Sequence, residues 1–219
     1  MNKKLENKEL TKRILERLHK KDTEDFSEEE LESIENIGLT GKLVNGKETG
    51  IDIEDIFLFK NLKSLTLRNF SLTLEDLEKL SKHISIEEIS FLGCCFEDVN
   101  FDVLSKIPSR LKFIYCSKLP LKFSNIKKLM ISFCELDFET IDFSSISSIF
   151  IQNSKVENVK DLTEYENLLE VNLDGSELSQ KDGKSISDIR VRENCMYSHR
   201  EKSKLYEDDM IENKEEMER

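Results

Sequence analysis

The chain has 219 residues, which is the length of a single domain, and it carries a formal net charge of −12 with 36% charged residues. This charge opposes binding to nucleic acid and to anionic membranes, and it favours a basic partner. No segment comes near the roughly 20 consecutive apolar residues that a membrane-spanning helix needs.

The amino-terminal segment is rich in charge and contains no apolar run, so it does not form a secretory signal peptide. A cytoplasmic location is therefore expected. An exported protein whose signal peptide is absent from this chain would have the same sequence. The five cysteines agree with a reducing compartment, because their number is odd and no C-x-x-C spacing occurs.

Residues 1–33 are predicted to be helical. Within residues 3–20, three apolar side chains recur at helical spacing among lysines and arginines: Leu10, Ile14 and Leu18. A capping box at Ser27 then opens a second short helix that ends near Ser33. The apolar stripe of the first helix is expected to cover the next element of the chain, although a basic amphipathic helix can also dock on a partner or a membrane.

From residue 34 to residue 196 an apolar pattern of the form L-x-x-L-x-L-x-x-x-x-L returns about eight times. The repeats are Ile34-Ile37-Leu39, Leu62-Leu65-Leu67-Leu72, Ile86-Ile89-Phe91-Phe96, Leu111-Ile114-Cys116-Leu121, Ile126-Leu129-Ile131-Leu136, Ile146-Ile149-Ile151-Val156, Leu168-Val171-Leu173-Leu178 and Ile186-Ile189-Val191-Met196. This pattern resembles that of the leucine-rich repeat family. Residues 26–39, FSEEELESIENIGL, also resemble the helical cap and first strand of internalin-like repeat proteins.

The resemblance implies an α/β solenoid with a curved parallel β-sheet on its concave side and short helices and loops on its convex side. Residues 1–33 would form the amino-terminal helical cap and residues 34–196 the solenoid. Residues 197–219 would form a carboxyl-terminal cap and an acidic, partly disordered tail.

Each repeat is expected to form one coil with a short strand. Side chains alternate between the two faces of a strand, so positions 4 and 6 of the repeat point into the core, while positions 3, 5, 7 and 8 lie on the concave surface. Neighbouring coils stack and bury one continuous apolar ladder. Position 9 is cysteine in two repeats, Cys94 and Cys134, and these thiols are predicted to be buried and structural.

The convex connections vary in length along the chain. Three glycines between Gly41 and Gly50 indicate a loop. A capping box at Thr73 opens a helix, and a less regular helix is predicted from about Glu97 to Lys106. Leu111 and Ile126, the first residues of consecutive repeats, are only 15 residues apart. Either the convex side shrinks to a loop there, or the register near Leu111 is different.

The concave positions are apolar in the middle repeats and polar at both ends. Six large side chains would lie together on adjacent strands: Leu92, Phe113, Tyr115, Met130, Phe133 and Phe150. Three polar residues would border them: Arg68, Glu88 and Gln152. Exposed aromatic and methionine side chains with a polar rim are typical of a protein interface, so these nine residues are the predicted partner-binding site. Three alternatives stay open: a different register that buries Phe113 and Tyr115, a tail that covers the patch, and a homodimer contact.

No catalytic or metal-binding constellation is recognisable in the sequence. The three histidines fall in separate predicted elements: His19, His83 and His199. No G-x-S-x-G, H-E-x-x-H or phosphate-binding motif occurs, and a ligand set for zinc is missing. We therefore expect no catalysis, no cofactor and no bound metal.

The sequence predicts a non-catalytic module that binds a protein or peptide on its concave face. The net charge favours a basic partner, as for an immunity protein or an inhibitor that blocks a toxin or nuclease; an effector role is also open. The alternative is a structural or assembly subunit in which the same patch makes a permanent or homo-oligomeric contact. Nucleic acid and membranes are not expected partners.

Overall fold

The structure is a computed structural model that describes residues 3–20, 25–41, 43–44, 47–48, 54–83, 85–96, 101–104, 109–117, 119, 126–180 and 189–200. Within these ranges, eight parallel strands form one sheet in which each strand lies beside its predecessor in the chain. The strands are β1 (Asn36–Thr40), β2 (Ser64–Arg68), β3 (Glu88–Leu92), β4 (Arg110–Ile114), β5 (Lys128–Ser132), β6 (Ser148–Gln152), β7 (Glu170–Asn172) and β8 (Met196–Ser198). The chain is therefore a solenoid built from parallel strands.

The strands form where apolar and polar residues alternate. In β2 the side chains of Leu65 and Leu67 are fully buried, whereas Ser64 and Thr66 are half-buried and Arg68 is exposed. The same repeat positions pair across the sheet, as Leu65 with Ile89 in β3 shows. The predicted register is confirmed for β1, β2, β3, β5, β6 and β7.

The predicted register of the fourth repeat is wrong by three residues. Leu111 pairs with Ile89 and Phe113 pairs with Phe91, so these two residues occupy the core positions that were predicted for Ile114 and Cys116. Phe113 is fully buried, whereas Ile114 is half-buried on the outer face. The short step also disappears, because Leu111 follows Ile89 by 22 residues and precedes Leu129 by 18.

The predicted last repeat is also wrong. It placed a strand around Ile189 and Val191, but β8 begins at Met196, and its Tyr197 pairs with Val171 of β7. Ile189 is nevertheless buried, and its N–H donates to the Tyr197 hydroxyl at 3.2 Å. β8 thus lies across the predicted boundary between the solenoid and the tail; residues 181–188 and 201–219 lie outside the described residues.

Two helices precede the sheet. Helix α1 (Lys8–Arg17) is shorter than the predicted span of residues 3–20, because Lys3–Lys4 forms a strand that pairs with Asp25–Phe26. Helix α2 (Glu28–Glu32) begins with the predicted capping box, in which the Ser27 hydroxyl accepts from the Glu30 N–H and the Glu30 carboxylate accepts from the Ser27 N–H.

Helical connections between the strands are short. Helix α3 (Leu74–Leu80) begins at the predicted capping box of Thr73 and Asp76. The remaining helical segments are single turns of 3₁₀ helix: Glu54–Leu58, Phe101–Leu104 and Phe138–Thr140. The helix predicted from Glu97 to Lys106 is thus represented by one 3₁₀ turn, and its other residues lie outside the described ranges.

Short extended segments form a second set of pairings that the sequence analysis missed. Glu135–Asp137, Lys155–Glu157 and Glu177–Leu178 form a three-stranded parallel sheet. Ser71–Leu72 pairs with Cys95–Phe96 in the same way, and Leu43–Val44 pairs with Lys47–Glu48 inside the predicted loop. These pairings could have been predicted from a polar–apolar–polar triplet that recurs in consecutive repeats. In Lys155–Glu157, for example, one buried residue lies between two exposed neighbours.

Cysteine and serine side chains occupy position 9 in successive coils and bind the preceding coil. The thiols of Cys94, Cys116 and Cys134 donate to the carbonyls of Leu67 (3.4 Å), Phe91 (3.3 Å) and Phe113 (3.8 Å), each at position 6 of the coil before. The Ser176 hydroxyl likewise donates to the Ile151 carbonyl at 2.9 Å. The prediction that Cys94 and Cys134 are buried is confirmed, and Cys116 joins their column.

Candidate partner-binding surface

The outer face of the main sheet carries the side chains at positions 3, 5 and 7, opposite the core. Three predicted site residues lie there, all half-buried: Leu92 on β3, Met130 on β5 and Phe150 on β6. Met130 and Phe150 are direct neighbours across the β5–β6 pair. Ile114, which the sequence analysis had assigned to the core, is the direct neighbour of Leu92 across the β3–β4 pair. Phe113 does not belong to this surface, because it is part of the core.

Two aromatic rings stack at the carboxyl-terminal ends of β4 and β5. Tyr115 and Phe133 both occupy position 8 of the repeat; their ring centroids are 4.5 Å apart and their planes differ by 9°. Both side chains are half-buried, and burial raises the pKa of the Tyr115 phenol above its ordinary value. We call the six side chains of Leu92, Ile114, Tyr115, Met130, Phe133 and Phe150 the apolar patch.

The backbone at position 8 is left-handed in six successive coils. The residues and their φ angles are Asn69 (54°), Gly93 (61°), Tyr115 (53°), Phe133 (55°), Asn153 (50°) and Gly175 (73°). Hydrogen bonds between coils fix this conformation: for example, the Tyr115 N–H donates to the Ser132 carbonyl at 3.1 Å and the Phe133 N–H to the Gln152 carbonyl at 3.2 Å. In these six coils, the packing of one coil on the next therefore imposes a positive φ on the residue at position 8.

Glycine and asparagine suit this conformation, whereas tyrosine and phenylalanine do not. A left-handed backbone brings Cβ close to the following carbonyl oxygen, at a cost of roughly 1–2 kcal/mol for an ordinary residue. Four of the six coils use glycine or asparagine and avoid most of that cost. The two remaining coils hold the two stacked rings, so the ring positions are the strained ones.

The polar residues of the predicted site lie on either side of the apolar patch. Arg68, on β2, borders a groove of about 320 Å³ that Arg13 of α1 also lines. Glu88, on β3, forms ion pairs with Lys112 at 2.9 Å and with Arg110 at 3.8 Å. Gln152, on β6, donates to Asn172 at 3.4 Å.

Two cations on β4 were missed because of the register error. Arg110 and Lys112 stand at positions 3 and 5 of β4, so they lie on the outer face beside Glu88 of β3. The pairing of β4 with β5 then places Arg110 beside Lys128. Aligning Cys116 with Cys94 and Cys134 at position 9 would have revealed them from the sequence.

Two of the three histidines, His83 and His199, contact backbone carbonyls. The Nε2 atom of His83 lies 3.2 Å from the Ile56 carbonyl and 3.1 Å from the Phe59 carbonyl, and Nδ1 lies 3.1 Å from the Ser85 hydroxyl. The Nε2 atom of His199 lies 3.1 Å from the Ser176 carbonyl. Over the described part of the chain, no group of three or more histidine, cysteine or acidic side chains could hold a metal ion, and no helix is long and apolar enough to cross a membrane.

No protein-family model matches this chain, and no curated protein sequence does either.

Proposed function

We propose that the chain is a leucine-rich repeat protein that binds a protein or peptide partner on the outer, concave face of its main sheet and has no catalytic activity of its own. The family assignment rests on the repeated strand pattern and on the column of cysteine and serine side chains at position 9, where leucine-rich repeats commonly place a residue that tucks into the bend. The binding role rests on the apolar patch.

The observation that carries the binding role is the pair of stacked rings on a strained backbone. Strained conformations persist when the surrounding structure enforces them, and they concentrate at functional sites. Tyr115 and Phe133 are half-buried and are absent from the hydrophobic core, so packing of the solenoid does not require them. Large aromatic side chains commonly supply the anchors of a protein interface, at about 2 kcal/mol or more each.

The test is a double variant, Tyr115→Asn with Phe133→Asn, because asparagine already occupies position 8 in two other coils. A pull-down from source-cell lysate, with partners identified by mass spectrometry, is run in parallel on the native protein and the variant. The matched control is Asn69→Gly with Asn153→Gly, which changes the same repeat position without removing a ring. Circular dichroism verifies the fold of each protein.

We expect the native protein and the control to capture the same partner and the folded double variant to lose it. A folded double variant that keeps the partner would show that binding lies on another surface. If the double variant does not fold, single variants Tyr115→Asn and Phe133→Asn are compared, and a folded single variant with full capture contradicts the proposal.

We further propose that α1 caps the first coil. The side chains of Arg13 and Arg17 donate to the carbonyls of Gly38 (2.7 Å) and Asn36 (2.8 Å) on β1, the first strand of the sheet. The Asp55 carboxylate accepts from the N–H groups of Glu6 (3.0 Å) and Asn7 (2.7 Å) just before α1. These contacts cover an edge strand that would otherwise be open to pairing with another chain.

The second candidate function, an assembly subunit, is favoured by two exposed apolar side chains near the last strand. Leu169 is 50% exposed and Met196 is 66% exposed. They are close in space, since the Met196 N–H donates to the Leu169 carbonyl at 2.8 Å. Sedimentation velocity of the native protein and of a Leu169→Asp, Met196→Asp variant tests this role. An assembly contact at this end predicts that the native protein is an oligomer and that the variant is a monomer.

A further inference from the structure

The outer face of the main sheet has a net charge opposite in sign to that of the whole chain. At the outward positions of β1–β8 there are four cations, Arg68, Arg110, Lys112 and Lys128, and two carboxylates, Glu88 and Glu170, which gives a formal charge of +2. The whole chain carries −12. A bound segment responds mainly to charges within about 8–10 Å, because salt screens those that lie farther away.

Arg68 is the cross-strand neighbour of Leu92 in the apolar patch, and the other three cations lie together on β4 and β5. Arg110 and Lys112 share the carboxylate of Glu88, whose side chain is only 18% exposed, and Arg110 also pairs with Glu87 at 3.6 Å. The side chain of Lys128 is exposed and forms no ion pair or hydrogen bond with any residue in the described ranges. Lys127, directly before β5, is exposed as well. The positive charge available to a partner is therefore concentrated at the amino-terminal ends of β4 and β5.

Cations and rings lie at opposite ends of the same two strands. Lys128 is at position 3 and Phe133 is at position 8, so about 16 Å separate them along the strand at roughly 3.3 Å per residue. Met130 lies between them on the same face. An extended peptide that runs along these strands would cover this distance with about five residues.

Building on the function proposed above, we propose that the partner presents an extended acidic segment to this surface. Its carboxylates contact Lys128 and Arg110, and an aromatic or aliphatic residue about five positions away lies on the rings of Tyr115 and Phe133. Charge complementarity of this kind selects between partners and sets the orientation of the bound segment. The basic partner expected from the net charge of the whole chain would meet repulsion at this face.

The test begins with the full-length protein and a phage-displayed library of random twelve-residue peptides. We expect the selected peptides to carry Asp or Glu about five positions from Phe, Tyr, Trp or Leu. A selected peptide is then synthesised with a fluorophore, and its affinity is measured by fluorescence anisotropy at 0.15 M salt. A peptide with lysine in place of each acidic residue is the charge-reversed control.

Two variants with matched charge changes locate the binding site. Lys127→Glu with Lys128→Glu is expected to weaken binding of the acidic peptide by at least about tenfold, which corresponds to about 1.4 kcal/mol. Lys12→Glu with Lys82→Glu reverses two exposed lysines on α1 and after α3 and is expected to leave the affinity within about twofold. The charge-reversed peptide is expected to bind more weakly to the native protein.

Several outcomes overturn the inference. The inference is wrong if the selected peptides are uncharged or rich in Lys and Arg, or if no peptide is selected. It is also wrong if acidic peptides bind equally well to the Lys127→Glu, Lys128→Glu variant. If selected basic peptides are lost in the Tyr115→Asn, Phe133→Asn variant, the charge inference fails and the proposed function stands. Peptides whose affinity is unchanged in the Tyr115→Asn, Phe133→Asn variant contradict both the charge inference and the proposed function. If a synthetic peptide of residues 201–219 displaces the selected peptides, the occupant is the chain's own carboxyl-terminal segment, which also overturns a separate partner.

Discussion

Replacing Phe113 with alanine is expected to lower the free energy of unfolding by about 4–5 kcal/mol. The ring is fully buried, stacks on Phe91 with centroids 5.2 Å apart, and meets Phe96 edge-on at 5.7 Å. Truncation of a buried phenylalanine costs roughly 3–5 kcal/mol, and each aromatic pair adds roughly 0.5–1.5 kcal/mol to what its buried area contributes. Since two such pairs are lost together, the value belongs in the upper half of the range.

The matched control is the adjacent substitution Ile114→Ala. Ile114 lies on the outer face and is half-buried, so its truncation is expected to cost less than about 1.5 kcal/mol. Both residues belong to β4, so any local unfolding of that coil affects the two variants equally. Guanidinium unfolding followed by far-UV circular dichroism is the assay, because the chain has no tryptophan for fluorescence. If Ile114→Ala destabilises the protein as much as Phe113→Ala, the register of β4 described above is refuted.

The position 9 thiols are expected to react with a disulfide reagent only after unfolding, whereas Cys95 and Cys195 react in the native protein; a thiol count with and without denaturant checks this. Burial raises the pKa of the Cys134 thiol to about 11 in the folded protein, whereas a thiol in the unfolded chain has a pKa of about 8.5. The stability that the protonated thiol contributes is therefore complete below about pH 8.5 and is lost as the pH rises to about 11. Cys134→Ser is expected to flatten the fall in stability over that range, as measured by chemical denaturation at each pH. Asp55→Ala is expected to cost about 2 kcal/mol and to detach the segment before α1, which hydrogen exchange at Glu6 and Asn7 would report as faster exchange. Ser27→Ala is expected to cost about 1 kcal/mol through loss of the α2 cap, and an unchanged unfolding midpoint would contradict that role.

Six strands were placed correctly from the sequence because each has one apolar pair, two residues apart, at the repeat positions that pair across the sheet. In the fourth repeat, two such pairs follow one another: Leu111 with Phe113, and Ile114 with Cys116. Alternation alone accepts either pair as the buried one. In the structure the first pair is buried, and the Cys116 thiol instead donates to the Phe91 carbonyl of the preceding coil, a contact between distant parts of the chain that no local pattern contains.

The last strand was misplaced for a related reason. Ile189 and Val191 imitate the alternation of a strand, but the Arg190 carbonyl between them accepts from the Leu162 N–H at 2.9 Å, outside the main sheet. Tyr197 occupies the core position of β8 and is only half-buried. The repeat pattern expects an aliphatic residue at that position, so it did not identify Tyr197. The coil at this end lacks the regular apolar spacing from which the other strands were recognised.

The predicted binding site changed in composition but kept its place on the sheet. Leu92, Met130 and Phe150 lie where alternation placed them, and Tyr115 moved from position 5 to position 8 without entering the core. The left-handed backbone of Tyr115 and Phe133 was not predictable from the sequence, because aromatic residues disfavour it locally and only hydrogen bonds between coils enforce it.

The column of left-handed residues has a consequence for how such a surface evolves. Because six successive coils share the same backbone at position 8, a change of residue there alters the displayed side chain and leaves the path of the chain unchanged. The codons for asparagine and tyrosine differ by a single base, so one point mutation replaces Asn69 or Asn153 with tyrosine. Within these six coils, the displayed side chains therefore vary by substitution alone, with no insertion or deletion in the gene.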